Sequence, residues 1–248
     1  MKKALLIFGI IYLGLSACKE DSLLDDNPAP AADNIELNFL PYYGDEPLKT
    51  DSIYINTIGS QFIIDTVSML ISDIRFKDLN LEADIDTAKN YVLLSSYRPS
   101  AVSGLLPAMG YYGNFQLILG ADSLSAVRDQ EEVLALAPEL VRTDSYGFDF
   151  FKIKGRILDF TTIIGDTVYD PIEYTIGTYM LSDTSNSDIR GFSVDNLQQM
   201  RIFLLADIKP MLNLVPMNLI DQIISDPSDV QDFTIAEAMA DSLTIGIF

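Results

Sequence analysis

The sequence predicts an all-β protein: an antiparallel β-sandwich with a few short helices, one of them near the C-terminus. Three observations predict it. Short apolar–polar alternations recur from Ile35 onward, and glycines and prolines punctuate them. No long amphipathic helix separates successive alternations, which argues against a parallel α/β sheet. The 231 residues that follow Ala17 suffice for one sizeable domain.

Each element follows from its own pattern. Ile35–Leu40 places Ile35, Leu37 and Phe39 on one side, until Pro41 and Gly44 interrupt it. Ser52–Thr57 alternates through Ile53 and Ile55, and Gly59 turns the chain. Gln61–Phe76 is rich in Ile, Val, Phe and Thr, and its length predicts two strand stretches with a bend. Phe62, Ile64, Leu70, Ile74 and Phe76 are its candidate core positions. Tyr91–Leu94 and Tyr112–Leu119 continue the series, with Gly104, Pro107 and Gly110 between them. In Phe148–Ile157, Phe151 and Ile153 alternate with Lys152 and Lys154. Asp159–Ile164, Ile172–Tyr179 and Met200–Ile208 read as further strands. Helical signals are confined to Ser123–Leu136, Met217–Ile224 and a capping box at Thr234-Ile235-Ala236-Glu237 that opens a helix to Leu243.

The first 34 residues read differently. Lys2 and Lys3 precede an apolar run, Ala4–Leu15, that ends in Leu15-Ser16-Ala17-Cys18. The run is shorter than the ~20 apolar residues of a membrane-spanning helix. It resembles a bacterial lipoprotein signal with its lipobox, implying cleavage before Cys18 and acylation of that residue. Lys19, Glu20 and Asp21 resemble a surface-export signal of Gram-negative lipoproteins. The polar, proline-containing stretch to Asn34 has little to bury and reads as a flexible tether. The expected organisation is a signal peptide at 1–17, an acylated tether at 18–34, and one domain at 35–248 with a C-terminal helical extension. The expected address is the outer membrane, lipid-anchored and exposed at the cell surface.

Composition excludes several functions. The formal charge is −20, and loss of Lys2 and Lys3 would take it to about −22, a field that repels nucleic acid. The chain holds no histidine and no tryptophan, and Cys18 is its only cysteine. With Cys18 used as the anchor, Ser-His-Asp and Cys-His catalysis lack their residues, and zinc, copper and haem iron lack their usual imidazole and thiolate ligands. Carboxylate chemistry remains. Asp129, Glu131 and Glu132 are candidates for acid–base work, although adjacent residues do not meet the ~5–10 Å facing geometry of a glycosidase. Asp78, Asn80, Glu82, Asp84 and Asp86 alternate as in a calcium loop, but Ala83 stands at the glycine position and Lys89 at the glutamate position. A solvated hairpin loop is the simpler reading. Tyr42-Tyr43 and Tyr111-Tyr112 read as core or tyrosine-corner packing rather than a ligand groove.

An ordered set of segments resembles the MbnP-like family, secreted or surface copper-binding β-proteins associated with methanobactin systems and di-haem peroxidase-like partners. Ile35–Phe39 with Gly44 and Pro47-Leu48 is similar to the family's opening strand and loop. Ile55–Ile64, with Asn56, Gly59 and Phe62, resembles its asparagine-bearing strand, glycine turn and returning strand. Leu70–Phe76 resembles the segment reading roughly Y-I-S-N-I-R-L. Leu106-Pro107-Ala108 with Gly110–Asp122, and Gly147–Gly155, resemble two later motifs. The resemblance implies a β-sandwich, and a partner such as an outer-membrane transport protein or a di-haem redox protein.

The departures bear on function. Where the family carries a tryptophan-rich stretch, this chain reads Leu140-Val141-Arg142-Thr143-Asp144. Where it carries Y-H-I-G, this chain reads Tyr174-Thr175-Ile176-Gly177, with Thr175 in the histidine's place. The resemblance implies histidine and a modified tryptophan at the copper site, and both residue types are missing. The eight methionines form no Met-x-x-Met cluster. The expectation is therefore the fold without cofactor or copper ligands: a non-catalytic binding or accessory lipoprotein. The alternatives are a metal-handling protein with non-histidine ligands, and a carboxylate-based hydrolase of surface glycans.

Overall fold

The computed structural model describes residues 34–78, 84–86, 91–105, 110–120, 129–141, 147–159, 168–178, 181, 183–186, 192–194, 200–217, 222–223 and 227–247. The lipobox residues Leu15, Ser16 and Ala17, the anchor Cys18, and Lys19, Glu20 and Asp21 lie outside them. In chain order the strands begin with β1 (Asn34–Tyr43), β2 (Glu46–Pro47), β3 (Ile53–Ile55), β4 (Gln61–Asp78) and β5 (Asp84–Asp86). β6 (Val92–Ser95), β7 (Ser100–Leu105) and β8 (Gly110–Leu119) follow. Helix α1 (Gln130–Leu136) and a 3-10 turn (Pro138–Leu140) precede β9 (Asp149–Asp159) and β10 (Val168–Gly177). The chain continues through β11 (Asp183–Asn186), β12 (Phe192–Val194), β13 (Met200–Asp207) and α2 (Lys209–Asn213). It closes with β14 (Gln222–Ile223), α3 (Val230–Ser242) and β15 (Thr244–Ile247).

These strands form a β-sandwich of two sheets. The five-stranded sheet runs β15-β13-β1-β2, with β7 also paired to β1. The ten-stranded sheet runs β11-β8-β4-β9-β10-β14, with β12 on β8 and with β3, β5 and β6 on β4. Alternation decides which side chains meet between the sheets. Ile35, Leu37 and Phe39 of β1 and Ile202, Leu204 and Ala206 of β13 are fully buried, as are Phe62, Ile64, Val67 and Met69 of β4 and Phe151 of β9.

The structure corrects several sequence expectations. The sandwich is not purely antiparallel: β1 pairs in parallel with β13, and β10 with β14. Gln61–Asp78 is one 18-residue strand, not two. It accommodates sheet twist through register shifts at Ile64/Thr66, Ile71/Asp73 and Phe76/Asp78. β1 continues through Pro41 to Tyr43. β7 flanks it only at Asn34–Asn38 and β2 only at Tyr42–Tyr43, so Pro41 falls in the gap between them and its missing N–H costs no ladder bond.

Helix α3 starts at Val230 rather than Thr234. The Asp229 carboxylate accepts from the amides of Gln231 and Asp232, at 3.0 and 3.2 Å, and caps the helix one turn earlier. Thr234 then lies inside, its hydroxyl donating back to the Val230 carbonyl at 2.7 Å. Gln222–Ile223, expected within a helix, is a strand added to β10. The C-terminal extension ends as β15, paired with β13.

Two glycines are required by close approach. A Cβ on Gly155 would collide with the Ile63 carbonyl oxygen, where β4 bulges against β9. A Cβ on Gly177 would lie 2.5 Å from the Cα of Asp149, where β10 shifts register.

Candidate functional site

The first candidate lies on β9 and β10, on the strand face opposite the inward residues. Tyr174 faces Ile153 and Ile176 faces Phe151, all four buried. The intervening pair, Thr175 opposite Lys152, therefore points the other way. Ser68 of β4 is the partner of Lys152 on its other side. All three are buried polar residues.

Their polar atoms are committed locally. The Lys152 ammonium lies 2.6 Å from Glu173 Oε1 and donates to the Glu139 carbonyl at 3.2 Å, fastening the 3-10 turn to the sheet. Lys154 stands 3.6 Å from Glu173 Oε2. Thr175 Oγ1 donates to the Ile223 carbonyl at 3.2 Å, fastening β14. Burial alone would raise the Glu173 carboxyl; the hydrogen bond and charge of Lys152, with Lys154 behind it, outweigh burial and hold it below the ordinary range. Thr178, just beyond β10, is buried with φ +72°, an outlier for a β-branched residue. Its amide donates to the Phe148 carbonyl at 3.0 Å.

A second candidate lies where β3 turns into β4. The buried Asn56 side chain accepts from the amides of Ile58 and Ser60, at 3.2 and 2.9 Å. Its Nδ2 donates to the carbonyls of Leu212 and Val215, at 3.3 and 3.2 Å. Gly59, at φ +94°, allows the reversal. The Thr57 amide donates to Asn213 Oδ1 at 3.0 Å, tying the loop to the end of α2. Beside it, the Tyr43 and Tyr54 rings stand 4.5 Å apart and both approach Phe62. Burial first, then the charge of Asp207, raises the Tyr43 hydroxyl above its usual value. A cleft of about 600 Å³ opens nearby between β1, the loop after β2 and the β6–β7 turn, lined by Leu40, Pro41, Tyr42, Leu48, Asp51 and Pro99 among others.

Comparison with known proteins decides the family. The MbnP family model matches residues 32–228. The chain belongs to the MbnP family. One similar solved structure is MbnP from Methylosinus trichosporium, at 9% identity and a TM-score of 0.45, covering 86% of this chain and 98% of that one. No curated protein matches the chain.

Within this MbnP-family chain, the side chains at the resembled metal position do not fit copper. Thr175 brings a hydroxyl already bound to a carbonyl, and its cross-strand neighbour is an ammonium. Copper seeks imidazole, thiolate or thioether donors. Leu140, at the tryptophan-rich position, is buried in the core, and Val141 bridges to Phe148. Among the described residues no group of three or more His, Cys, Asp or Glu stands close enough to hold a metal ion. No helix among them is long and apolar enough to cross a membrane.

The other candidates are not brought together. Glu131 and Glu132 stand exposed on α1, while the Asp129 carboxylate accepts from the Tyr91 hydroxyl at 2.9 Å. Asp84 and Asp86 belong to β5, and residues 79–83, with Asn80 and Glu82, lie outside the described residues. Tyr112 is packed in the core against Phe76. Sequence reasoning noted Lys152 only as part of an alternation. It missed the pairing with Glu173, because the two residues lie on different strands and the register that brings them together is not local.

Proposed function

We propose that this MbnP-family protein is a lipoprotein held at the outer membrane through acylated Cys18, exposed at the cell surface, and working as a non-catalytic binding module without copper. The observation that carries the reading is the committed cluster at Lys152, Glu173 and Thr175. A cation arriving there would meet a fixed ammonium and a hydroxyl already donating to the Ile223 carbonyl. The cluster joins the 3-10 turn and β14 to the sheet, which is structural work. The anchor rests on Leu15-Ser16-Ala17-Cys18, and two or more acyl chains give the lasting attachment that a single chain does not. Its partner is a protein of the same envelope, such as an outer-membrane transporter or a di-haem redox protein. Analogy with the family suggests those two classes.

Equilibrium dialysis of the full chain in detergent against copper and calcium tests the reading. The expected result is no ion retained above the level of an equally acidic control protein. Stoichiometric copper surviving a competing chelator would overturn it.

A further inference from the structure

We propose that the cleft at the open edge of β1 is a binding site for a neutral saccharide chain. Such a site adds a ligand class to the binding module above, and it does not depend on acylation of Cys18.

β1 has a gap along one edge. β7 pairs with it only as far as Asn38, and β2 only from Tyr42. The cleft opens at that gap, and its volume of about 600 Å³ suits a short chain of rings rather than a single ion. Both walls are tied to the floor. The Phe39 amide donates to the Pro99 carbonyl at 2.6 Å, and the Leu48 amide to the Pro41 carbonyl at 2.9 Å. Further back, the Ser96 amide donates to the Val67 carbonyl at 2.9 Å, and Ser96 Oγ accepts from the Val67 amide at 3.3 Å. On the other wall the Tyr54 hydroxyl accepts from the Lys49 amide at 2.7 Å and donates to the Lys49 carbonyl at 3.1 Å. A cleft held in one shape loses little freedom when it is filled.

The lining selects the ligand. Leu40, 40% exposed, and Tyr42 lie on one face of β1, and Leu48 and Pro99 add apolar surface from the walls. Tyr42, Thr50 and Ser52 bring hydroxyls that are spent on no bond among the described residues. Lys49 and Asp51 bring one charge of each sign. The charge of Asp51 also acts on the Arg156 guanidinium, which Asp65 already holds at 2.8 Å. Charge at the cleft is therefore balanced. An anion would find no surplus cation on a chain of charge −20, and a cation would meet the Lys49 ammonium. An added peptide strand would need backbone groups of β1. Along the gap the Phe39 amide and the Pro41 carbonyl are already bound, and Pro41 has no N–H. A neutral ligand with C–H faces for the apolar floor and hydroxyls for the polar wall remains, and a sugar ring has that make-up. Asn38 points the same way. It lies on the Leu40 face of β1, two residues earlier, between Ser100 and Phe203. Its Nδ2 is buried without a hydrogen-bond partner, which is rare for a buried donor. A small rotation of that amide breaks no bond, so a hydroxyl laid over Leu40 can supply the acceptor it lacks.

Isothermal titration calorimetry of the full chain in detergent tests this. The probes are cellohexaose, maltohexaose, laminarihexaose and chitohexaose, with anionic hexagalacturonate and a proline-rich peptide beside them. The expected result is a Kd of about 1 mM or tighter for at least one neutral hexasaccharide, and no binding of the other two probes. Leu40→Ser and Thr50→Val/Ser52→Ala should each weaken binding at least fivefold, and Asn38→Leu at least threefold. Leu134→Ser, at an exposed position of α1, should leave it unchanged. Thr50→Val/Ser52→Ala removes hydroxyls at nearly constant shape, so the test stands even where Leu40→Ser fails to fold. No binding of any neutral hexasaccharide, tighter binding of hexagalacturonate or the peptide, or an affinity indifferent to the cleft variants would overturn the site. Shorter sugars accumulating in the titration mixture, with the same dependence on the cleft variants, would remove the non-catalytic reading and leave the binding site standing.

Discussion

The polar cluster on β9 and β10 and the turn around Asn56 use the same kind of chemistry to opposite ends. At the first, Lys152, Glu173 and Thr175 bond inward to a 3-10 turn, a neighbouring side chain and a strand, with the Glu173 carboxylate partly exposed. At the second, Asn56 bonds inward just as fully, yet the loop it fixes turns isoleucines toward solvent. The difference teaches that a bonded polar cluster among the described residues can do structural work in two ways: it can join neighbouring elements, or it can hold a turn whose apolar side chain stays exposed.

Breaking the frame at either place should separate the two regions by magnitude. Asn56→Ala strands two buried carbonyls and frees two amides, so it should cost about 3 kcal/mol. Denaturant unfolding would measure it, and the turn should lose protection from hydrogen exchange before the rest of the sheet. Gly155→Ala should follow at roughly 2 kcal/mol, because the new methyl meets the Ile63 carbonyl rather than a side chain that can swing away. Lys152→Met should cost about 1–2 kcal/mol: the carboxylate it strands is partly exposed, which discounts the usual figure for breaking a buried pair.

The same cluster makes a pH prediction. The Glu173 carboxyl is held below its ordinary value of 4.5, so the folded state binds that proton less readily than the unfolded chain. Its contribution to stability is fully present above about pH 4.5 and is lost as pH falls through the lower folded value. Thermal melts should show the parent losing stability more steeply below pH 4.5 than Glu173→Gln does. The smallest effect sharpens the comparison most. Ile58→Ser should shift stability by no more than about 0.5 kcal/mol, since an exposed side chain has little packing to lose. A cost several times larger would mean that Ile58 supports the fold rather than presenting a surface.

Much of this was legible in the chain. The alternations at Ile35, Leu37 and Phe39 and at Phe151 and Ile153 announced inward faces, and those faces are buried. The parallel pairing of β1 with β13 was not legible, because it joins Ile35 to Met200 and no local pattern encodes a partner so distant. Gln222–Ile223 misled for a related reason: a short apolar run fits a helix or a strand equally, and the ladder with Glu173 and Tyr174 decides it. Before β4, Asn56 and Gly59 were visible as a turn, whereas the Leu212 and Val215 carbonyls that fix Asn56 lie far away in sequence. The exposure of Ile53 and Ile55 could not be read, since alternation does not say which face is covered.

Native mass spectrometry of the protein extracted from membranes tests the central claim most directly. The account predicts a chain beginning at Cys18, heavier than its sequence by a diacylglyceryl group and an amide-linked acyl chain, with no added metal mass. A chain with an unmodified Cys18, or one carrying a copper ion through gentle desalting, would contradict it.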